Sequence, residues 1–388
     1  MSSSSSLSPN ATDAQDALGD PHCPRRTWSI NGDFLNLRPT GVVRYAREVT
    51  RALDEMLQEG HPLTADLDLR IITPAAPPAS PHFGNILVEH VPEWRLRLPQ
   101  FWVQAQLRSA AKGNLLSLCN LGPVARRSQI VCIHDLHTRM MPESYAASFR
   151  LAHRILLPLL GKRARVITTV SEYSRDQLVT FGIAPREKIV VAPNGCDHAR
   201  WWDPNSATVR YDPAGPFVLT LGRNLKYKNT ALFWRIASAL DQMGVRICVA
   251  GDVTPSEFLA PGQDTPRNVD LVGRVSDDDF AFLLQKALAF AFPSRIEGFG
   301  LPALEAMVHG CPVIATTAAS LPEVCGDAAL FADPDLDEQW IEAVARLLRQ
   351  GELRSDLVEK GFRRAELYTW RRAAETYLSL MRSFDEAA

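Results

Sequence analysis

The stretch Pro293-Ser-Arg-Ile-Glu297-Gly-Phe-Gly300-Leu-Pro302-Ala-Leu-Glu305-Ala-Met-Val-His-Gly310 decides the fold. Proline suits the first turn of a helix, where its missing N–H costs no hydrogen bond, so Pro302 marks a helix start. Gly310 suits the other end, because a helix C-cap takes a left-handed backbone that glycine adopts freely. Just upstream, residues 288–292 form a near-continuous apolar run, as expected of a strand buried on both faces of a sheet. The segment therefore reads as strand, glycine loop and helix. The amides of residues 298–301 would lack partners within the helix and point outward, an arrangement that binds phosphate. Glu305, about one turn into the helix, projects back towards the loop. Glu297 and Glu305 thus flank a phosphate-binding turn, and a carboxylate can accept both hydrogens of a sugar or ribose diol.

The same alternation of short apolar runs and longer amphipathic stretches fills the rest of the chain and predicts parallel α/β units. Strands are expected at residues 28–30, 67–73, 86–91, 115–118, 130–133, 166–170 and 189–192, with helices opening at Gly41 and covering 97–112 and 151–160. Residues 201–215 carry Asp-Pro, Asn and Gly signals and read as a linker. A second set follows, with strands at 217–221, 245–250, 288–292 and 312–315 and a helix at 230–243. Ser276 with Asp279 reads as a helix start, and residues 339–381 as mostly helical. The expected organisation is a tail at 1–26, a first Rossmann-like lobe at 27–205, a second at 206–370, and a last helix, 371–388, folded back on the first lobe. Ligands of such sheets bind at the strand C-termini, which places a cleft between the lobes.

Composition narrows the partners. A chain of 388 residues exceeds one ordinary core, and 46% hydrophobic with 22% charged residues is the balance of a globular protein. A net charge of −2 gives no reason to expect nucleic acid. Seven scattered cysteines form no Cys-x-x-Cys pair, so neither a zinc site nor a disulfide framework is indicated, and a reducing cytoplasm is expected. Met1 and five following serines open a tail without an apolar core, which does not read as a secretory signal.

Three further clusters sit where strands end. In Gly222-Arg223-Asn-Leu-Lys226-Tyr-Lys228-Asn229, Gly222 would let a ligand approach the backbone while Arg223 and Lys228 reach an anion. His134-Asp135-Leu-His137 closes a first-lobe strand, and no further ligands at fixed spacing favour a metal there. Thr40-Gly41-Val-Val-Arg44-Tyr45 opens a first-lobe helix.

Glu297-Gly-Phe-Gly-Leu-Pro-Ala-Leu-Glu305 resembles the paired-glutamate signature of glycosyltransferase family 4, the retaining enzymes of the GT-B fold. Gly41-Val-Val-Arg-Tyr, His134-Asp-Leu, Thr169-Val-Ser-Glu-Tyr-Ser-Arg, Pro193-Asn-Gly, Gly222-Arg with Lys228-Asn, and Leu321-Pro-Glu-Val with Gly326-Asp follow in family order over about residues 27–380. The run at 320–334 is similar to bacterial members that build lipid-linked surface polysaccharides, often mannosyl- or rhamnosyltransferases. One position departs: Val43 stands where a small residue is common, so a tighter acceptor-side loop is expected.

The resemblance implies the roles. Glu297 would grip the donor sugar, with His134 beside it. The amides of Phe299, Gly300 and Leu301 would hold the diphosphate that Arg223 and Lys228 neutralise. Glu305 would hold the ribose, and the backbone from Val272 to Arg274 would meet the base. Gly41, Arg44 and Asp135 would face the acceptor. The implied substrates are a GDP-, UDP- or dTDP-linked sugar, with GDP-mannose first, and a glycan or lipid-linked acceptor. No cofactor and no metal are expected. A sugar-nucleotide epimerase or a non-catalytic binding subunit are the alternatives.

Other patterns carry less. Asp66-Leu-Asp68 and Asp333-Pro-Asp335 have the spacing of a metal motif but sit at a strand start and in a turn. Trp94, Arg95, Arg97, Phe101, Trp102 and Arg108 read either as a packed helix with a polar face or as a peripheral membrane contact. Ser171 and Ser174 have no base partner in sight and read as helix caps.

Overall fold

The computed structural model describes residues 26–74, 83–94, 100–258 and 264–387. Two parallel sheets divide the chain. The first holds β1 (Arg26–Asn31), β2 (Leu67–Thr73), β3 (Leu87–His90), β4 (Asn114–Ser117), β5 (Gln129–Cys132), β6 (Val166–Thr169) and β7 (Ile189–Val191), in the order β3-β2-β1-β4-β5-β6-β7. The second holds β8 (Phe217–Arg223), β9 (Arg246–Asp252), β10 (Val269–Gly273), β11 (Ala289–Phe292), β12 (Val313–Thr316) and β13 (Ala329–Ala332), in the order β10-β9-β8-β11-β12-β13. Both are Rossmann-like, and together they make the two-lobed GT-B architecture. In each sheet the strand order reverses between the first and fourth strands, so the crevices open at the ends of β1 and β4 and of β8 and β11.

Burial explains why these runs are strands. All four residues of β11 are buried, with Phe290 in register with Leu219 of β8 on one side and Val313 of β12 on the other. The helix Gly41–Gln58 buries Val43, Tyr45, Ala46, Val49, Ala52, Leu53 and Met56, the face that the spacing predicts. Ser276 and Asp279 form a reciprocal capping box on the helix Asp277–Lys286.

The last helix, Trp370–Glu386, lies on the first lobe. Its Asp385 accepts from Arg26, from the Trp28 indole and from Asn114, at 2.7, 3.1 and 2.7 Å. Its Tyr377 hydroxyl bonds the hydroxyls of Tyr45 at 3.0 Å and Thr168 at 2.8 Å.

Several expectations change. Arg26 belongs to β1 rather than to a tail, because its amide bonds Asp66 O at 2.8 Å and its side chain Asp385; residues 1–25 lie outside the described residues. The described part of the 97–112 helix is a π-helical turn, Trp102–Gln106, followed by Leu107–Ala110. Trp102 is 4% exposed and donates to Val91 O at 3.0 Å, so in this patch it is core rather than a membrane anchor. Arg95 and Arg97 lie outside the described residues. β10 and β13 were not anticipated as strands: β10 is broken in pattern by Asp270, which pairs with Arg246 at 2.6 Å, and β13 has four residues.

Candidate active site

The loop between β11 and the helix Leu301–Val308 is held by its carbonyls. Ser320 Oγ donates to the carbonyls of Glu297 and Phe299, at 3.0 and 2.9 Å. The carbonyl between them, on Gly298, accepts from Ser171 Oγ at 2.7 Å and Ser174 Oγ at 3.0 Å. With the carbonyls tied back, the amides of Phe299, Gly300 and Leu301 have no acceptor among the described residues. Free amides at a helix N-terminus can receive an anion. Gly300 has φ 99°, in the left-handed region, and a Cβ there would lie 2.2 Å from Leu321 Cδ2. Gly300→Val is therefore expected to lose roughly 1–3 kcal/mol from backbone strain alone, with the clash adding to it. Denaturant unfolding reads this, and an unchanged midpoint would contradict it.

Lys228 reaches the start of the same loop. Its Nζ bonds Glu297 Oε1 at 2.6 Å and lies 5.4 Å from the centres of the Tyr227 and Phe292 rings. Asn229, which follows, takes a left-handed conformation and donates to Pro334 O at 2.9 Å, fixing the turn that carries Lys228. Arg223, at the end of β8, is exposed and has no carboxylate partner among the described residues. At Gly222 a Cβ would meet Val253 Cγ2 at 2.4 Å and Val249 Cγ1 at 2.5 Å, so packing against those valines also calls for a glycine there.

Glu305 is buried and accepts from His198 Nε2 at 3.0 Å. The Trp370 indole donates to His198 Nδ1 at 2.9 Å. An indole N–H can only donate, so Nδ1 accepts and Nε2 carries the hydrogen that Glu305 takes. The second glutamate is thereby positioned by the last helix through Trp370 and His198. Arg44 lies beside it, 2.6 Å from Asp277 Oδ1 and 5.3 Å from the Trp202 ring centre. Burial works against the Arg44 charge, but Glu305 and Asp277 outweigh it and raise its pKa.

From the first lobe, the His134 carbonyl stands against Gly298, where a Cβ would come within 2.8 Å of it. The ring turns inward: Nε2 bonds Leu118 O at 2.8 Å and lies 3.6 Å from Cys132 Sγ. Burial opposes a charge on this ring, but the Cys132 sulfur and the Leu118 carbonyl outweigh it, and its pKa rises. Asp135 accepts from the His137 amide at 3.0 Å, and the His137 ring lies 5.0 Å from that of Tyr227 in the other lobe. Gly41 begins its helix with open space around it. Val272 and Arg274 lie at the end of edge strand β10, where Arg274 pairs at 2.6 Å with Asp252, the residue in register with Arg223.

Sequence reasoning missed three contributors. Ser320 and His198 gave no local signal, since their partners are far along the chain; His198 and Glu305 are 107 residues apart. Glu323 shows no role from its neighbours either, yet its carboxylate accepts from the amides of Glu172 and Tyr173, at 2.8 and 3.1 Å, and so joins the lobes at a helix N-terminus.

Asp33 follows β1, and burial pushes its pKa up to about 7 against hydrogen bonds from Asn31 and the Phe34 amide. Its Oδ1 is buried without a partner. The folded state therefore holds this proton more tightly than the unfolded one. Stability is unaffected below the unfolded value near 3.8 and falls as pH rises towards about 7. Asp33→Asn is expected to raise Tm at pH 8, by roughly 2–4 °C per kcal/mol relieved, and to leave it unchanged at pH 3. Equal shifts at both values would contradict this.

Two family descriptions match the chain: Glycosyltransferase Family 4 over residues 39–200 and Glycosyl transferases group 1 over residues 207–364. The chain belongs to glycosyltransferase family 4. It is 28% identical over 264 residues to the O-antigen chain mannosyltransferase B of Escherichia coli, a stretch covering 62% of this chain and 66% of that protein. Against the O-antigen chain mannosyltransferase RfbU of Salmonella typhimurium identity is 26%, over 57% of this chain and 61% of the relative. The matches thus span less than two thirds of these relatives. Among solved structures, sucrose-phosphate synthase from Thermosynechococcus elongatus superposes with a TM-score of 0.69 at 16% identity, covering 94% of this chain and all (100%) of the other. Anabaena HepE in complex with UDP and glucose gives 0.64 at 16%, covering 92% and 100%.

Proposed function

We propose that this chain transfers a hexose, with mannose from GDP-mannose as the specific reading, to a glycan or lipid-linked glycan in polysaccharide or O-antigen synthesis. The observation that carries it is the Lys228–Glu297 pair set against unpartnered amides at a helix start. In the free chain the two side chains satisfy each other. A nucleotide sugar replaces that pairing: its diphosphate takes Lys228 and the amides, and its sugar hydroxyls take Glu297. Two O-antigen mannosyltransferases among the relatives support the sugar, and the UDP and glucose held by HepE support a nucleotide-sugar ligand for this fold.

The reaction proposed is same-face transfer with retention. The diphosphate leaves, and one of its oxygens takes the acceptor's proton, so the protein positions the partners and stabilises charge. The inward-turned ring of His134 fits a site with no dedicated base. Arg223 and Lys228 offset the leaving group in place of a metal, helped by roughly half a charge from the helix N-terminus. Asp68 and Asp335, from the two Asp-x-Asp patterns, pair instead with Arg70 and Arg295, at 2.8 and 2.5 Å.

The test is nucleoside diphosphate release from GDP-mannose, UDP-glucose and dTDP-rhamnose, with and without acceptor glycans and with excess EDTA. Acceptor-stimulated release that persists in EDTA is expected. Release that EDTA abolishes and Mg²⁺ restores would overturn the charge balance; an epimer without acceptor consumption would overturn the transfer.

A further inference from the structure

The chain crossings between the lobes meet at Glu305. The chain leaves the first lobe through the turn Asp197–Trp201 and returns to it with the helix Trp370–Glu386. Asp197 Oδ1 accepts from the Trp370 amide at 2.8 Å, and Gly195 packs so closely that a Cβ there would lie 2.2 Å from the Trp370 nitrogen. His198 and Trp370 are thus held side by side, 4% and 1% exposed. Both ring nitrogens of His198 are engaged: the Trp370 indole donates to Nδ1, and Glu305 Oε1 lies at Nε2. A hydrogen on Nδ1 would face the indole hydrogen, so the ring can only donate to Glu305. Oε1 takes that hydrogen. The other oxygen, Oε2, has no partner among the described residues and is not sealed from solvent by them. The nearby Arg44 guanidinium is bound to Asp277 instead, at 2.6 Å. Glu305 therefore presents pinned acceptors, about 6 Å along the helix axis from the free amide of Leu301.

We propose that His198, held by Trp370, is a positioning residue that makes the site selective for a ribonucleotide donor over its 2′-deoxy counterpart. The inference rests on the nucleotide-sugar reading above, in which Glu305 takes the ribose. A ribose presents two neighbouring hydroxyls, and a carboxylate can accept both at once. A 2′-deoxyribose presents one and leaves a desolvated acceptor without a hydrogen, which is where such sites gain their selectivity. The penalty is felt in full only if the carboxylate cannot turn away to find another partner. The hydrogen bond from His198 prevents that turn, and the indole prevents His198 from shifting its own hydrogen to Nδ1. GDP- and UDP-linked sugars then fall inside the substrate class, and dTDP-linked sugars outside it.

The experiment is calorimetric titration of the full chain with GDP, 2′-deoxy-GDP, UDP and 2′-deoxy-UDP. For the base that binds, the ribose form is expected to bind roughly 10- to 100-fold more tightly, the worth of one hydrogen bond to a charged group. His198→Leu should bring that ratio close to one, chiefly by weakening the ribose form. His198→Gln should keep most of it, because the glutamine amide can donate to Glu305 while its carbonyl accepts from Trp370. Trp370→Phe frees Nδ1 and should lower the ratio in the same direction, which keeps the test open should His198→Leu fold poorly. A purely structural role for His198 would weaken both members of a pair alike and leave the ratio unchanged in the variants. That result overturns the proposal, as does a wild type that binds both forms equally. In either case binding that Lys228→Ala abolishes leaves the nucleotide-sugar reading standing. Binding of none of the four overturns that reading and this inference with it.

Discussion

Glu297→Gln is expected to lower turnover of a nucleotide sugar by 10²–10³, the loss that follows removal of one preorganised group acting on the reacting centre. The substitution keeps the shape and removes the charge. Glu297 is buried, its backbone carbonyl is fixed by Ser320, and its side chain is held by Lys228. The carboxylate is therefore placed at the loop before ligand arrives, and a donor exchanges its Lys228 contact for sugar hydroxyls. Because the amide of glutamine can still accept a hydrogen bond, binding should weaken less than turnover. The steady-state constants separate the two, and near-normal kcat would show that Glu297 does not act on the sugar.

Lys228→Ala should be as severe, and for a second reason. It removes the charge that meets the diphosphate, and it leaves Glu297 as an uncompensated buried carboxylate beside an incoming anion. Breaking such a pair from one side costs about 3–5 kcal/mol, more than the pair's net worth. The loss should fall on donor binding as well as on turnover. Added Mg²⁺ should restore little, since Asp68 and Asp335 are engaged with arginines elsewhere. Recovery of most activity by Mg²⁺ would mean that the cation's role is replaceable by metal. The double variant Lys228→Ala/Glu297→Gln should lose less than the two losses combined, because the residues share one interaction.

How much of this was legible in the sequence follows from the range of each interaction. The loop and helix at 293–310 depend on neighbours, so Pro302 and Gly310 mark the ends of the element and Glu297 and Glu305 stand out within it. The buried runs of β8 and β11 were legible for the same reason. The supports were not. Nothing near Ser320 shows that its hydroxyl spans two carbonyls, and nothing near His198 shows that it stands between Trp370 and Glu305. Ser171 and Ser174 were read as caps. Ser171 does cap its helix, and both hydroxyls also reach Gly298 in the other lobe. Trp102 shows the limit from the other side: its aromatic and basic neighbours suit a surface as well as a core, and only the Val91 carbonyl and the surrounding apolar residues decide between them.

The cleft between the lobes is expected to hold a nucleoside diphosphate. The most direct measurement is the thermal shift of the full chain with GDP, UDP, dTDP and ADP, for the wild type and for Lys228→Ala. A nucleotide present at 100 times its dissociation constant adds about 2.7 kcal/mol, roughly 5–10 °C for a lobe of this size. Such a shift is expected with one of these nucleotides, GDP first, and its loss is expected in Lys228→Ala. No shift with any of the four at millimolar concentration, or an equal shift in the variant, would contradict it.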